Sequence, residues 1–304
     1  MVVGAGRGPL VEKTLRAAAK AKKYVTIYAV EKNVNAIVTL ETLRDLRWGG
    51  ATPGLPSGVV QIINEDMRYW EAPRSADLVI SELLGSFGDN ELSPECLDGV
   101  WRYVREDTIS IPASYSSYLC PVQSQKLYAQ LYGGGDANGK GGGGGLGGKG
   151  SSAYEYGYVV HVRNAYVIDE PQVAFSFSHA PGGELTRRPS ERDNSRSKVL
   201  TFTSKLATVC HGFVGYFDCC LLDDIYLSTV PATKNEHGCE DMYSWFPIYF
   251  PVAAPVSVAA GQSIELHLTR NLDAHQVWYE WTLLSPVISK VHNAKGKYYA
   301  ISLH

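Results

Sequence analysis

The chain has 304 residues, of which 45% are hydrophobic and 19% are charged, and its net charge at pH 7 is -3. This balance is ordinary for a soluble globular protein and excludes a strongly basic chain that binds nucleic acid directly. Six cysteines without a Cys-x-x-Cys pair argue against a zinc cluster or a dithiol redox site, and no metal site is expected. The most apolar stretch, residues 245–260, contains three prolines and is too short to span a bilayer. At about 150 residues per domain, the length predicts two domains.

The first part of the chain alternates between strand and helix patterns. Short apolar stretches predict strands at residues 1–3, 25–30, 59–63 and 77–80. Segments of helical composition separate them at residues 9–22 and 33–46. This alternation is typical of βαβ units and predicts a Rossmann-like parallel sheet over residues 1–118.

The second part, residues 119–304, is rich in Tyr, Val, Ser and Thr between Gly, Pro and Asn turns. It predicts an antiparallel β-sandwich or barrel-like domain, with strands at residues 158–162, 173–177, 212–217, 225–229, 263–269 and 277–283. The glycine-rich segment 133–150 and the charged segment 182–198 are predicted to be flexible insertions. Four arginines in the second insertion allow a basic docking loop, but a solvated surface segment is favoured because charge runs usually face water.

A glycine turn follows the first strand, where Gly4, Gly6 and Gly8 precede Pro9. Glycines allow a tight turn and a close approach of a ligand to the backbone. Glu31, at the end of the second strand, lies 23 residues after Gly8, close to the span of about 20 expected for an acceptor of ribose hydroxyls. Pro9 stands where a dinucleotide fingerprint needs glycine, and it removes an amide that a pyrophosphate would bind. The pattern therefore favours a nucleoside cofactor without phosphates, and S-adenosylmethionine fits.

A further acid follows the third strand, in the sequence Asn64-Glu-Asp66-Met67. Asp66 is predicted to accept a hydrogen bond from the adenine amino group, while the adjacent backbone amide donates to a ring nitrogen. The alternative is a structural turn with two surface acids. It is less favoured because ligands bind at the carboxyl ends of strands in this fold.

Two glutamates follow the fourth strand. Glu82 and Glu91 are nine residues apart, and Gly85 and Gly88 permit a reversal between them, so that the carboxylates can converge. Such a pair repels, which raises one pKa, and a planar guanidinium matches it well. The pair could orient one arginine nitrogen toward an electrophilic sulfonium methyl group. The alternative is that Glu82 caps the strand and Glu91 begins a helix.

The run from Ser81 to Gly99 strongly resembles the double-glutamate loop of the type II, symmetric-dimethylating protein arginine methyltransferases. Residues 3–11, 28–33 and 244–247 resemble this family as well, so the resemblance covers nearly the whole chain. It implies that Glu82 and Glu91 are the catalytic pair. The implied contacts of S-adenosylmethionine are Gly4, Gly6, Glu31, Asp66 and Met67. Ser244 and Trp245 are implied to help form an arginine channel, where an aromatic wall suits a guanidinium; without the resemblance, Trp245 would be interpreted as a core residue.

The resemblance also implies partners and a location. The expected substrates are Arg/Gly-rich protein tails, such as those of histones and splicing factors, and the expected products are monomethyl and symmetric dimethyl arginine. The full-length form is expected to be a homo-oligomer in the cytoplasm and nucleus, with no membrane contact.

Family members carry an N-terminal barrel domain that docks a WD-repeat partner, and a segment before the first strand that contacts the cofactor. Neither is found in this chain, so activity is expected only when that region is restored. The alternatives are an inactive remnant that acts as a binding module, and a nicotinamide-dependent oxidoreductase, which Pro9 and the paired glutamates disfavour.

Overall fold

The computed structural model describes residues 1–48, 58–132, 150–179, 188, 190, 192–239, 242 and 244–303. The predicted insertion at residues 133–150 lies outside this part of the chain except for Gly150, which begins a short 3-10 helix, Gly150–Glu155. Among the helices of the described residues, none is long and apolar enough to cross a membrane. Those residues also contain no group of three or more His, Cys, Asp or Glu side chains placed to hold a metal ion.

The N-terminal part of the chain forms a parallel sheet with helices, which confirms the predicted Rossmann-like domain. In chain order, its elements are β1 (Val2–Val3), α1 (Pro9–Lys20), β2 (Val25–Glu31), α2 (Val34–Leu43), β3 (Gly58–Asn64), β4 (Leu78–Ser81), α3 (Ser93–Asp98) and β5 (Ile109–Ile111). The five strands pair in the order β3-β2-β1-β4-β5, and every pair is parallel. The strand order therefore reverses between β1 and β4, which is where ligands bind in sheets of this kind.

Local sequence explains how α1 begins. Gly8 has φ +89°, a backbone conformation that disfavours residues with a side chain, and Pro9 occupies the first turn, where its missing N–H has no helical partner to lose. Val11, Leu15 and Ala18 form the buried face. A Cβ atom on Gly8 would also lie only 2.7 Å from the ring of Trp48, so a glycine is needed there for space as well.

The second helix begins where the side-chain oxygen of Asn33 accepts a hydrogen bond of 3.0 Å from the backbone N–H of Asn35. The prediction of one helix to residue 46 was wrong at its end. The α-helix stops at Leu43, and a π-helical turn, Arg44–Trp48, follows it. This wider turn buries Trp48 against the same core as α1, which the periodicity of a regular α-helix could not indicate.

The C-terminal part of the chain is antiparallel, as predicted. Its elements are β6 (Ser114–Gln123), α4 (Gln125–Tyr132), β7 (Tyr158–Val159), β8 (Tyr166–Val167), β9 (Gln172–Ser178), β10 (Arg196–Thr203), β11 (Thr208–Leu222), β12 (Ile225–Ser228), β13 (Ile248–Val258), β14 (Ser263–Leu272), β15 (Gln276–Ser285) and β16 (Ile301–Ser302). One sheet has seven strands and centres on β11 and β6, and a four-stranded sheet has the order β10-β14-β15-β16. We call this part, from β6 to β16, the β domain.

Five strands of the β domain were not predicted: the two-residue strands β8 and β16, and the longer β6, β10 and β13. The strand β13 contains Pro251 and Pro255, which made its apolar sequence resemble a broken segment. The strand β6 contains the predicted domain boundary at residues 118 and 119, and Ala113, just before it, already donates a backbone hydrogen bond to the end of β11. Prediction of β10 failed because it begins inside the charged segment 182–198.

That charged segment is not a flexible, solvated insertion at its C-terminal end. The side chain of Arg192 is only 6% exposed, and it donates a hydrogen bond of 2.6 Å to Asp98 in α3. Asn194 donates to the other oxygen of Asp98 at 2.8 Å, and Arg196 begins β10 with its guanidinium over the ring of Phe177. These charges have partners far away in the sequence, which the composition of the segment could not show. Most of residues 180–191 lies outside the described part of the chain.

Candidate active site

The two predicted halves of the site meet at the carboxyl ends of β1 and β4. These strands are neighbours, with Val3 opposite Ser81 in the parallel register. The glycine turn follows β1 and Glu82 follows β4, so both predicted segments leave the same edge of the sheet. This is also the place where the strand order reverses, which is where sheets of this kind bind their ligands.

The loop between the two glutamates, residues 82–91, closes on itself, and we call it the glutamate loop. The backbone N–H of Gly85 donates to the carbonyl of Gly88 at 3.0 Å, and the N–H of Gly88 donates to the carbonyl of Gly85 at 2.9 Å. The side-chain oxygen of Asn90 accepts a hydrogen bond of 2.7 Å from the N–H of Phe87. A Cβ atom on Gly85 would lie 2.3 Å from that Asn90 oxygen, so the loop has no room for another residue at this position. The predicted reversal is therefore present.

The reversal brings the carboxylates of Glu82 and Glu91 within electrostatic range. Burial, and then the negative charge of Glu82, raise the pKa of Glu91. Both side chains remain exposed to solvent, and one oxygen of Glu82 accepts a hydrogen bond of 3.3 Å from the N–H of Leu84. Two accessible carboxylates that repel each other form a site that a cation would stabilise.

The glycine turn packs against the end of β2. The N–H groups of Gly4 and Ala5 each donate to the carbonyl of Val30 at 3.0 Å. The N–H of Gly6 donates to one oxygen of Glu31 at 2.8 Å, and the N–H of Asn33 donates to the other oxygen at 2.8 Å. The structure therefore brings three of the predicted cofactor residues together, and the bonds orient the carboxylate of Glu31.

Met67 adjoins this turn, and Asp66 lies beside it with a partner that was not predicted. A Cβ atom on Gly4 would lie 3.4 Å from the terminal methyl group of Met67. The carboxylate of Asp66 accepts hydrogen bonds from the backbone N–H, Nε and Nη2 of Arg68, at 2.9, 3.0 and 2.6 Å. These bonds to Arg68 lower the pKa of Asp66 to about 2. A carboxylate has about four acceptor positions; Arg68 occupies three of them, and the exposed ammonium of Lys32 lies 3.5 Å from Oδ2.

Trp245 connects the glutamate loop to a surface pocket, whereas Ser244 lies beside it in an exposed bend. The indole N–H of Trp245 donates to the carbonyl of Leu84 at 2.6 Å, and its ring meets that of Phe217 edge-on with centroids 5.6 Å apart. A pocket of about 400 Å³ borders Trp245, and its walls include Phe246, His161 and Lys234. The position predicted for an arginine channel therefore has one aromatic residue fixed to the glutamate loop.

Residues 1–111 match the model described as PRMT5 arginine-N-methyltransferase, and residues 114–301 match the model described as PRMT5 oligomerisation domain. The chain belongs to this family of protein arginine methyltransferases.

Relatives in the family are similar over the entire chain. A protein arginine N-methyltransferase 5 of Xenopus laevis is 41% identical over 303 residues, which is 100% of this chain and 44% of the relative. That of Drosophila melanogaster is 39% identical over 304 residues, covering 100% of this chain and 45% of the relative. Protein arginine N-methyltransferase skb1 of Schizosaccharomyces pombe is 36% identical over 320 residues, covering 100% of this chain and 47% of the relative. The chain therefore spans less than half the length of these relatives.

Solved structures of arginine methyltransferases share the fold. The Trypanosoma brucei PRMT1 enzyme-prozyme heterotetrameric complex with AdoHcy has a TM-score of 0.68 at 16% identity, over 95% of this chain and 85% of that one. Protein arginine methyltransferase 10 of Arabidopsis thaliana, in a uniquely open conformation, has a TM-score of 0.62 at 16% identity, over 99% of this chain and 86% of that one. At this identity the likeness concerns the fold alone, and it confirms a Rossmann-like domain followed by a β domain.

The residues at the glycine turn fit the S-adenosylmethionine that this methyltransferase family implies. Gly6 has φ +53°, and a Cβ atom placed there would meet no atom within 4 Å, so space is open above the turn. Each oxygen of Glu31 already accepts one backbone N–H and has capacity for a second donor, such as a ribose hydroxyl. The open backbone and the oriented carboxylate form a polar cradle of the kind a nucleoside needs.

Two further residues that attach the glutamate loop to the β domain were not predicted from the sequence. Phe87 is fully buried in the core of that domain, where its ring meets Phe250 edge-on at 5.4 Å, and Gly215 leaves it room. Asp89 is also fully buried, and it binds the guanidinium of Arg270 at 2.5 Å. The local sequence did not indicate that Asp89, two residues before the predicted catalytic Glu91, is buried, because its partner Arg270 lies 181 residues away.

Proposed function

We propose that this chain transfers methyl groups from S-adenosylmethionine to side-chain nitrogens of arginine in proteins, giving monomethyl and symmetric dimethyl arginine. The observation that carries the proposal is the closed Gly85–Gly88 bend, which places Glu82 and Glu91 close enough to repel. The same edge of the sheet carries the glycine turn and Glu31. Membership in the PRMT5 family supports the reaction.

In the proposed reaction, Glu82 and Glu91 bind the guanidinium of the target arginine. A protonated guanidinium is a poor nucleophile, and its planar donors match paired carboxylates. The two carboxylates draw positive charge toward the nitrogens that they bind and orient the remaining terminal nitrogen. Positioning of this kind can supply a large part of a rate enhancement. Glu91, whose pKa is raised, is suited to accept the proton released as methylation proceeds.

Gly4, Gly6, Glu31, Asp66 and Met67 are proposed to hold the cofactor, which supplies an electrophilic methyl group when bound. Glu31 would accept from the ribose, and Asp66 would accept from the adenine amino group in place of the exposed ammonium of Lys32, which lies 3.5 Å from its Oδ2. Met67, next to Gly4, would line the cofactor site.

We propose Arg/Gly-rich protein tails, such as those of histones and splicing factors, as substrates. Glycines beside the target arginine would let its long side chain reach between the carboxylates without a clash between main chains. Trp245, fixed to the carbonyl of Leu84, would pack against the aliphatic part or the face of the guanidinium, and Ser244 would line the entrance. The match of residues 114–301 to an oligomerisation model supports a homo-oligomer. A WD-repeat partner would bind only through an N-terminal region such as the longer relatives have.

The test is transfer of a radiolabelled methyl group to a Gly/Arg-rich peptide. Two proteins are compared, the 304-residue chain and the same chain joined to the N-terminal half of the Xenopus laevis relative. We expect transfer by the joined protein, with symmetric dimethyl arginine identified by mass spectrometry. Glu82→Gln is expected to lower kcat by about 100-fold or more, since it removes one of two charges that orient the guanidinium.

Glu41→Gln is the matched control, because it neutralises an exposed glutamate on α2, away from the site. It should transfer methyl groups at the wild-type rate. A joined protein that binds the peptide and transfers nothing would instead favour a binding module without catalysis. Full transfer by Glu82→Gln would contradict the role of the glutamate pair.

A further inference from the structure

Asp89 occupies an unusual position for a charged residue. It begins the 3-10 helix Asp89–Glu91, two residues before Glu91, and its exposed fraction is 0%. A buried carboxylate is costly unless its charge is balanced and its oxygens are hydrogen-bonded. Its donors therefore determine where Asp89 can lie, and they constrain the backbone of its short helix.

Those donors come from the β domain. One oxygen of Asp89 accepts a hydrogen bond of 2.5 Å from Nε of Arg270 in β14 and another of 2.6 Å from the hydroxyl of Tyr279 in β15. The hydroxyl of Ser117 in β6 lies 3.0 Å from the other oxygen and 2.6 Å from the carbonyl of Phe87. Three strands of the β domain thus converge on one side chain of the glutamate loop.

Arg270 also binds a residue that follows Glu91 in the chain. Its two terminal nitrogens donate to the two oxygens of Glu95 in α3, each at 2.8 Å. Burial alone would lower the pKa of Arg270, but the charges of Asp89 and Glu95 raise it well above the usual value, so the guanidinium stays protonated. One buried cation therefore binds the chain both before and after Glu91.

Glu91 has no comparable support of its own. Within the described part of the chain, no group donates a hydrogen bond to its carboxylate, and the nearby charge of Glu82 repels it. Its position must come from the backbone to which it is attached. That backbone is fixed by Asp89 on one side and by α3 on the other.

We propose that Asp89 is a positioning residue for the methyl-transfer site, held by Arg270 and Tyr279 so that the β domain sets the place of the Glu91 carboxylate. This inference rests on the proposed function only in giving Glu91 a role in binding the target arginine. The β domain then controls the geometry of catalysis through Arg270 and Tyr279, which are buried and touch neither substrate.

The decisive variant is Tyr279→Phe, which removes one hydrogen bond to Asp89 and keeps the aromatic ring that packs against Phe87 and Phe250. The first measurement is amide hydrogen exchange of residues 82–92 in the 304-residue chain. Loss of one hydrogen bond to a charged acceptor should speed exchange of this segment by about 10-fold or more. The second is steady-state kinetics in the protein joined to the N-terminal half of the Xenopus laevis relative, where kcat should fall about 10-fold with both KM values within twofold.

Tyr103→Phe is the matched control. Tyr103 is also buried, but its hydroxyl has no hydrogen-bond partner among the described residues. It should leave the exchange of residues 82–92 and kcat unchanged. The inference is overturned if Tyr279→Phe exchanges and turns over like the wild type, or if its exchange rises equally throughout the β domain. If the wild-type protein transfers no methyl group, the proposed function fails, and the exchange experiment still decides the inference.

Discussion

The two sides of the candidate site are held in place in different ways. On the cofactor side, Glu31 accepts hydrogen bonds from Gly6 and Asn33, which lie 25 residues before it and 2 residues after it. On the catalytic side, the loop from Glu82 to Glu91 is attached through Phe87 and Asp89 to a β domain whose contacting residues lie as far as 190 residues away. The first arrangement is local in sequence, whereas the second requires both domains to be folded and packed.

This difference predicts two separate modes of failure. Changes in the β domain should displace the glutamate loop and leave the glycine turn intact. Within the described residues, no β-domain side chain is among the hydrogen-bond partners of Gly6 or Glu31. Changes in the turn should weaken cofactor binding and leave the loop in place.

The largest effect is expected for Arg270→Met. The substitution leaves the buried carboxylates of Asp89 and Glu95 without their cation. Removing one partner of a buried ion pair typically costs about 3–5 kcal/mol, because the remaining charge stays desolvated. We therefore expect the free energy of unfolding, measured by denaturant titration, to fall by about that amount.

Arg105→Met is the control for this prediction. Arg105 also binds two aspartates, Asp77 at 2.8 Å and Asp107 at 2.8 Å, but this ion-pair cluster lies at the surface. Water replaces the lost contacts there, so the unfolding midpoint should stay unchanged. Equal free energies of unfolding for the two variants would show that the buried cluster stabilises the contact between the domains no more than a surface ion pair does.

The local features of the molecule could be predicted from the sequence. The start of α1 follows from the Gly8–Pro9 pair, and Glu31 could be placed at the end of β2 because an apolar run ends there. The convergence of Glu82 and Glu91 also followed from two glycines within a short loop. In each case the controlling contacts join residues close together in the sequence.

The long-range features could not be predicted in this way. The partnership of Asp89 with Arg270 depends on strand register in β14, and composition carries no information about register. The segment around Arg192 was interpreted as solvated because charge runs usually face water, yet Asp98 pairs with Arg192 across 94 residues. One local contact was missed as well: Arg68 binds Asp66, two residues before it, because the sequence did not indicate which charged group Arg68 would pair with.

A second prediction concerns Gly85→Ala, which should separate the two sides of the site. Its Cβ atom would lie 2.3 Å from the Asn90 oxygen that accepts the N–H of Phe87, so the bend must open. We expect kcat for methyl transfer to fall by about 10- to 100-fold, since orientation of the guanidinium depends on that bend. Calorimetric titration should give the wild-type Kd for S-adenosylmethionine.

The counterpart on the cofactor side is Glu31→Gln. It keeps one oxygen for Gly6 or Asn33 and loses the second acceptor, so the Kd for S-adenosylmethionine should rise by about 10-fold. Amide exchange of residues 82–92 should be unaffected. If Gly85→Ala weakened cofactor binding as much as Glu31→Gln does, the two sides would be coupled more strongly than the contacts suggest.

The smallest effect is expected for Glu91→Gln, where the direction of the change in folding stability is the informative result. Burial and the charge of Glu82 raise the pKa of Glu91 in the folded chain, so the folded state binds this proton more tightly than the unfolded state. That contribution to stability is complete at low pH and is lost as the pH rises through the folded pKa, because the carboxylate then ionises beside Glu82. Glutamine remains neutral at every pH.

At pH 7 the variant should therefore be the more stable protein, even though it should lose methyl transfer. Both carboxylates are exposed to solvent, which screens their repulsion, so the gain should be only about 0.5 kcal/mol, or roughly 1 °C in Tm. The gain should shrink as the pH falls from 7 toward 4, because the raised pKa lets wild-type Glu91 take up its proton at a higher pH than an ordinary glutamate does, and Glu41→Gln should show no comparable change over that range. A lower Tm for Glu91→Gln at pH 7 would mean that Glu91 stabilises the loop instead of straining it, and the repulsive pair on which the proposed function depends would be absent.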